Sequence, residues 1–517
     1  MELGETLADF EVDVVVVTRA GGDPTEPAVL YGSPSLFQRF YTRARTGRFP
    51  ATTTPDLTIA SMGPKQAHAD AAVPSLDFLV QRGADLFFNE NFNGNGRTCG
   101  TCHPAENNLT IDPKFIASLR HDDPLFVAEF VPALRENFEK PELMRGIGLI
   151  LDNTNGFGDL ANDFTMRGVP HTLALITSLE PAPATGGPDP VSGLTPAADG
   201  TTLPPLQRTG WSGDGAAGSG TLREFALGAV TQHFPKTLTR LPGVDFRLPN
   251  DDELDAMEAF QLFLGRQEDP DIAALRFTSP VVARGRDVFS SNSEGKCNAC
   301  HRNAGANIAG GFNFNFDTGV EDLPDQPANL IDGANNRPDN GFGGNPGNGT
   351  FNTPSLIEAA DTGPFFHNNS IETIEGAVAF YNSEAFNDSP AAAGLAAITG
   401  SAGINLETTQ IVAASAFLRV MNSLENIRSA RDTAEFTLDV KNFRTAKDLL
   451  KLALAETADG EEVLLSGGLH PEAQQSLARA RKLLVTASLA HSRIIRNGLI
   501  QRALKRLEQA RRLMVQG

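Results

Sequence analysis

At 517 residues the chain is long enough for two or three domains, each able to bury its own core. A formal net charge of −20 argues against a nucleic-acid partner, which needs a basic surface; it is compatible with docking a basic protein, although an acidic surface usually serves solubility alone. No run approaches the roughly 18 apolar residues of a membrane span, and "VDVVVV" (12 to 17) is too short and too acid-flanked for a secretory signal.

In chain order, "PSLDFLVQRGADLFF" (74 to 88) reads as a helix leading into "CGTCH" (99 to 103). Then come "RGVPHTLALI" (167 to 176) and "GWSGDGAAGSGTLREFALGAV" (210 to 230), where Thr221 is placed to cap a helix. "NDDELDAMEAFQLFLGR" (250 to 266) predicts an amphipathic helix with acids in its first turn, closing a first domain. The same succession then repeats. "TSPVVARGRDVF" (278 to 289), again with Arg-Gly, leads into "CNACH" (297 to 301). A Gly/Asn-rich loop without a phosphate-cradling pattern follows, then "FNTPSLIEAA" (351 to 360) and "GPFFHNNSIETIEGAVAFY" (363 to 381), with Thr373 as a second cap. The last 80 or so residues read as helical and change sign: from Arg479 to Arg512 ten Lys/Arg stand against one acid, Glu508. Such a tail could meet a membrane surface or an acidic partner, but more often it is a solvated face or packs on an acidic body.

The two C-x-x-C-H runs use all four cysteines. Zinc would not need the two histidines. A thioredoxin-like pair needs a βαβ context that neither run has, and two local disulfides would leave the repeated histidine unexplained. C-x-x-C-H is the attachment signature of c-type haem. Its two thiols, one helical turn apart, meet the two vinyl groups, and the adjacent His supplies the proximal nitrogen. Cys99, Cys102 and His103, and Cys297, Cys300 and His301, are therefore read as holding two covalently bound haem c groups, with His103 and His301 on iron.

Two such motifs with "TPSL" and "TGPFFHNNSIETIEGAVAFY" resemble the diheme cytochrome c peroxidase superfamily, which includes MauG and, more distantly, rubber oxygenases. The resemblance spans roughly residues 76 to 430. It implies a mainly α fold: two cytochrome c-like haem domains facing each other, long Gly/Asn-rich loops and a C-terminal helical extension. The expected divisions are an N-terminal extension (1–75), a reactive-haem domain (76–266), an electron-transfer-haem domain (267–432) and a basic helical extension (433–517). By the same resemblance, Trp211 lies between the haems, against the plainer reading of a core tryptophan. Tyr381, fourteen residues after His367 of the Phe-His motif, is the sixth ligand of the second haem, with Met421 as the alternative. Thr362 and Pro364 match a run whose carbonyls help hold one Ca2+, although its side-chain ligand near residue 168 is not recognisable.

The sequence also departs from the family. The positions of a distal Gln and Glu fall on Phe225 and near Pro235 and Lys236, and Ile357 replaces the usual Arg after "PSL". Gln232 and His233 are present instead. His233 could be a general base, a sixth iron ligand or a structural histidine; His121 and His171 are weaker ligand candidates. The resemblance implies a peroxidase-like oxidoreductase that reduces hydrogen peroxide at the first haem with electrons delivered through the second. An apolar Phe225 over the iron instead favours a MauG-like or rubber-oxygenase-like reaction with O2 on a protein or apolar organic substrate, and electron transfer alone is the fallback. The expected partner is a small electron-donor protein, a c-type cytochrome or cupredoxin. Covalent haem attachment implies a periplasmic or otherwise exported protein, although no signal peptide is visible in this chain.

Overall fold

A computed structural model describes residues 76–135, 137–152, 157–158, 160–161, 164–178, 211, 222–266, 268–308, 313–323 and 351–516, with the strand pair β1 (Val15–Val17) and β2 (Val29–Tyr31). The expected cap at Thr221 and most of the Gly/Asn-rich loop lie outside the described residues. The protein is mainly α-helical; its strands are short and occur only as two-stranded pairs among the described residues.

Helix α1 (Leu76–Asn89) buries Val80, Ala84 and Phe87, one stripe at helical spacing. It packs on α3 (Asp251–Leu262). The latter starts with a reciprocal cap: Asn250 Oδ1 accepts from the Glu253 amide, and Glu253 returns the contact to the Asn250 amide, both at 3.0 Å. Between them in sequence, α2 (Leu222–His233) buries Leu222, Ala226 and Val230. The second half repeats the crossing, with α4 (Pro280–Ser290) packed on α6 (Thr408–Asp439). Helix α5 (Ile374–Phe380), capped by the Thr373 hydroxyl as expected, lies against α6.

The glycines of the two Arg-Gly pairs show why the repeat exists. A side chain at Gly83 would collide with the Ala256 carbonyl, and one at Gly285 with the Ala413 carbonyl. Each glycine thus lets two helix backbones touch. Four residues on, the aromatic pairs match as well: Phe87 meets Phe260 at 5.2 Å and Phe289 meets Phe417 at 5.3 Å between ring centroids.

Beyond α4, helix α6 continues into an antiparallel four-helix bundle with α7 (Phe443–Ser466), α8 (Pro471–Ser488) and α9 (Arg493–Met514). Its core is made of small and branched residues such as Ala434, Ala453, Leu484 and Ile500. Two joints fasten the bundle. Strand β5 (Arg276–Phe277) pairs with β8 (Val515–Gln516) at the chain end. A buried polar cluster joins Asp361 to Asn422 at 2.8 Å, with Arg266 of the first half reaching Ser355 and standing 3.8 Å from Glu358.

The halves meet through β3 (Leu149–Leu151) and β4 (Met166–Gly168), which pair with each other. The Gly168 amide donates to the His367 carbonyl at 2.7 Å, and Asn369 Nδ2 donates to the Ile147 carbonyl at 2.8 Å. A further pair, β6 (Asn315–Phe316) and β7 (Phe351–Asn352), lies in the second half.

Candidate functional site

Cys99 and Cys102 bound a single helical turn, Cys99–Cys102, and His103 follows with its amide on the Cys99 carbonyl. The turn is anchored from before: Arg97, 1% exposed, pairs with Glu139 at 2.8 Å and donates to the Leu125 carbonyl, while Glu139 accepts from the Leu151 amide of β3. The His103 ring is oriented by Nδ1, which stands 2.8 Å from the Leu109 carbonyl. A carbonyl only accepts, so Nδ1 carries the proton and Nε2 keeps its lone pair for a metal. Burial pushes His103 down to about 4, so the ring is neutral.

The second motif is built alike. Cys297–Ala299 forms a 3-10 turn, and His301 Nδ1 lies 3.0 Å from the Pro354 carbonyl and 3.2 Å from that of Gly305. Its Nε2 is likewise left for a ligand role, and burial lowers it to about 4. None of the four cysteines is in a disulfide; burial pushes the thiols of Cys99 and Cys297 up to about 12 and those of Cys102 and Cys300 up to about 11. They are half-exposed only in that they line internal cavities.

The first cavity has two lobes of about 1130 and 970 Å3, open mouths included. One is walled by Cys99, Cys102, His103 and α2; the other reaches second-half residues such as Pro354 and Phe365. The second cavity, about 1280 Å3 on the same basis, is walled by Cys297, Cys300, His301 and a mostly apolar shell. Paired thiols, an imidazole with a free Nε2 and a large apolar slot fit a covalently attached haem.

Trp211 lines both cavities. Its Nε1 donates to the Gly168 carbonyl at 2.6 Å, and its own carbonyl accepts from the Asn352 amide at 2.7 Å. His367 lines the second cavity beside it, buried and stacked on Phe351 at 3.5 Å between centroids, with Nε2 3.3 Å from Glu321. Tyr381 also lines the second cavity, and burial raises its phenol, so it is neutral there. Met421 is buried but is not part of that wall.

In the first cavity Phe225 faces both lobes, and Gln232 and His233 stand on the same wall. Gln232 Nε2 donates to the Leu151 carbonyl and to Asp152 Oδ1, both at 2.9 Å. His233 is driven down to about 3 by burial, with Arg97 and Arg240 adding to it, so its ring is neutral. His171 lines the other lobe and accepts from the Leu173 amide at 3.3 Å. His121 is exposed on a surface turn, away from both cavities. Two polar residues that sequence reasoning missed, Asp152 and Arg167, also line the first cavity. Asp152 follows β3 and Arg167 lies in β4, so only the pairing of these two short strands brings them there.

For the expected calcium, Thr362 spends its hydroxyl on the Glu358 carbonyl at 2.8 Å. Among the described residues no three acidic, His or Cys groups converge to hold a metal ion. The calcium implied at Thr362 and Pro364 is thus without support here. Among the described residues no helix is long and apolar enough to cross a membrane.

No protein-family model and no curated protein matches the chain. Among solved structures it is similar to the crystal structure of a MauG-like protein associated with microbial copper homeostasis. The identity is 18%, over 66% of this chain and 87% of that one, with a TM-score of 0.33.

Proposed function

We propose that the chain is a diheme c-type cytochrome with peroxidase-like oxidoreductase activity. It would reduce hydrogen peroxide at the first site with electrons delivered through the second. The observation that carries this reading is the duplicated arrangement of two cysteines and a histidine with only Nε2 free, each set on the wall of its own cavity, with Trp211 shared by both. Haem bound there supplies iron that exchanges single electrons and activates peroxide or O2.

The chain's own residues divide the remaining work. His103 and His301 present Nε2 while their Nδ1 protons stay on backbone carbonyls. Reduction of one H2O2 to two waters consumes two electrons and two protons, so the reacting side needs a group that passes protons. Asp152, held by Gln232, is the carboxylate on that wall and takes the part of the absent Glu; neutral His233 is its neighbour on the wall. Trp211 sits where electrons cross, and Tyr381 is the proposed sixth ligand of the second haem, favouring oxidised iron. A small donor protein, a c-type cytochrome or cupredoxin, would load the second haem. Covalent haem attachment would put the protein in the periplasm or otherwise outside the cytoplasm.

A second reading rests on Phe225, which faces both lobes of the first cavity. It is a MauG-like or rubber-oxygenase-like oxidation of a protein or apolar organic substrate. The test is H2O2-dependent oxidation of a reduced small cytochrome by the haem-loaded protein. Rapid turnover supports the peroxidase reading. No turnover, with two haems present by spectrum, overturns it in favour of oxygen chemistry at Phe225.

A further inference from the structure

Helices α7, α8 and α9 of the bundle contribute nothing to the lining of either cavity, and one end of the bundle is built the wrong way round for water. The α6–α7 and α8–α9 connections meet at that end. Arg493 Nη2 donates to the Leu438 carbonyl at 3.1 Å, Asn497 Nδ2 to the same carbonyl at 2.8 Å, and Arg496 Nη2 to the Val440 carbonyl at 2.6 Å. Arg496 is thus turned inward, 1% exposed, where it satisfies carbonyls left over at the C-terminus of α6. Its neighbours in sequence are turned out: Ile494 is 87% and Ile495 60% exposed, and Leu489 is 63% exposed. Phe443, over which the Arg496 guanidinium lies, and Val485 add exposed apolar surface.

Cations ring this knob. Lys441, Arg444, Lys447, Lys482, Arg493 and Arg502 are exposed, against two exposed acids on the adjoining end of α6, Asp439 and, one turn back, Glu435. The pattern stands out on a chain of net charge −20. A second copy of the same tip would bring two cation rings together. An acidic protein would answer the charges and leave the isoleucines without a reason. An anionic bilayer answers both, because aliphatic groups enter the acyl boundary while Lys and Arg stay among the headgroups.

We propose that the bundle tip formed by Phe443, Leu489, Ile494 and Ile495 docks the protein on a membrane surface bearing anionic lipid headgroups. This goes beyond the redox reading and does not depend on it. The protein lies on the surface through a shallow apolar contact, with the ring of cations setting the preference for negative charge.

The test is flotation of the full-length, haem-loaded protein with vesicles of phosphatidylcholine alone and of phosphatidylcholine mixed with phosphatidylglycerol, at low and high salt. The wild type is expected to float with the mixed vesicles, less so at high salt. I494S/I495S is expected to weaken partitioning on the order of a hundredfold, and R444Q/R493Q roughly thirtyfold. All four side chains are exposed, so unchanged helical circular dichroism is expected in both variants. The proposal is overturned by any of three results: no flotation with either vesicle, equal flotation with both, or flotation that the tip variants leave unchanged. Concentration-dependent self-association that I494S/I495S dissolves, without vesicle binding, would also overturn it and assign the tip to a second copy of the chain.

Discussion

The two halves share a scaffold and differ in what lines each cavity. Gly83 and Gly285, Phe87 and Phe289, and the two imidazoles held through Nδ1 are placed alike. The first cavity, however, is lined by Asp152, Arg167, Gln232 and His233 together with His103. With His301, Val378, Leu395, Ile404 and Leu418 line the second cavity, and its polar groups include Tyr381, His367 and Lys296 but no carboxylate. A wall with a carboxylate can hand protons to a reacting oxygen, and the lining of the second cavity has no such acid. The repeated scaffold gives two similar pockets, and the polar side chains that α2, β4 and the residue after β3 bring to the first are those the proposed peroxide chemistry would use.

The sharpest way to break the comparison is to remove one attachment at a time. C99S/C102S and C297S/C300S should each halve covalent haem in a denatured pyridine assay and abolish peroxide turnover. If either variant keeps full turnover, the halves do not act in series. The asymmetry of the walls is tested next. D152N should lower peroxide turnover about a hundredfold with both haems retained. An unchanged rate would move the proton-handling role to His233.

The symmetry of the scaffold gives a matched pair. G83A and G285A each force two helix backbones apart, and each should cost roughly 1–3 kcal/mol in chemical denaturation. Costs that differ widely would mean that the two crossings are not equivalent. A smaller effect concerns the second cavity alone. Y381M should raise the lower or upper haem potential by on the order of 100 mV, because a thioether favours ferrous iron. M421L should leave both potentials in place, since Met421 is off the cavity wall. A shift in M421L and none in Y381M would reverse the ligand assignment.

The scaffold was more legible in the sequence than the chemistry. Cysteine spacing, the Arg-Gly pairs and the apolar stripe of α1 are local patterns, and each is found where helical periodicity and the attachment motif put it. The helix expected over 250–266 ends at Leu262, and its cap at Asn250 follows from the Asn-x-x-Glu run. Asp152 was not legible, because it reaches the cavity through the pairing of β3 with β4, strands of three residues each with no periodic signature. Gln232 was visible as a candidate, but its partner was not. The bundle tip was visible only as charge. That Arg496 turns in while Ile494 and Ile495 turn out is settled by carbonyls of α6, far away in sequence.

The smallest predicted effect lies where the halves and the bundle join. Glu358 is buried, and burial, reinforced by the negative charge of Glu425, raises its carboxyl well above the ordinary range. The folded protein therefore keeps a proton there that the unfolded chain releases near pH 4.3. Between that pH and the raised value the folded state binds more protons, so this group makes stability fall as pH rises. In E358Q that contribution disappears. Denaturation midpoints measured from about pH 4 to about pH 8 should fall less steeply for the variant, with the two proteins closest at the acidic end. The weak contact with Arg266 that the variant loses, at 3.8 Å, is a small debit, because Arg266 keeps Ser355 and Asp269. Parallel profiles would show instead that Glu358 is ionised in the joint and paired with Arg266. The cluster would then hold the two halves together by charge, where a protonated Glu358 leaves that task to Asp361, Asn422 and Ser355.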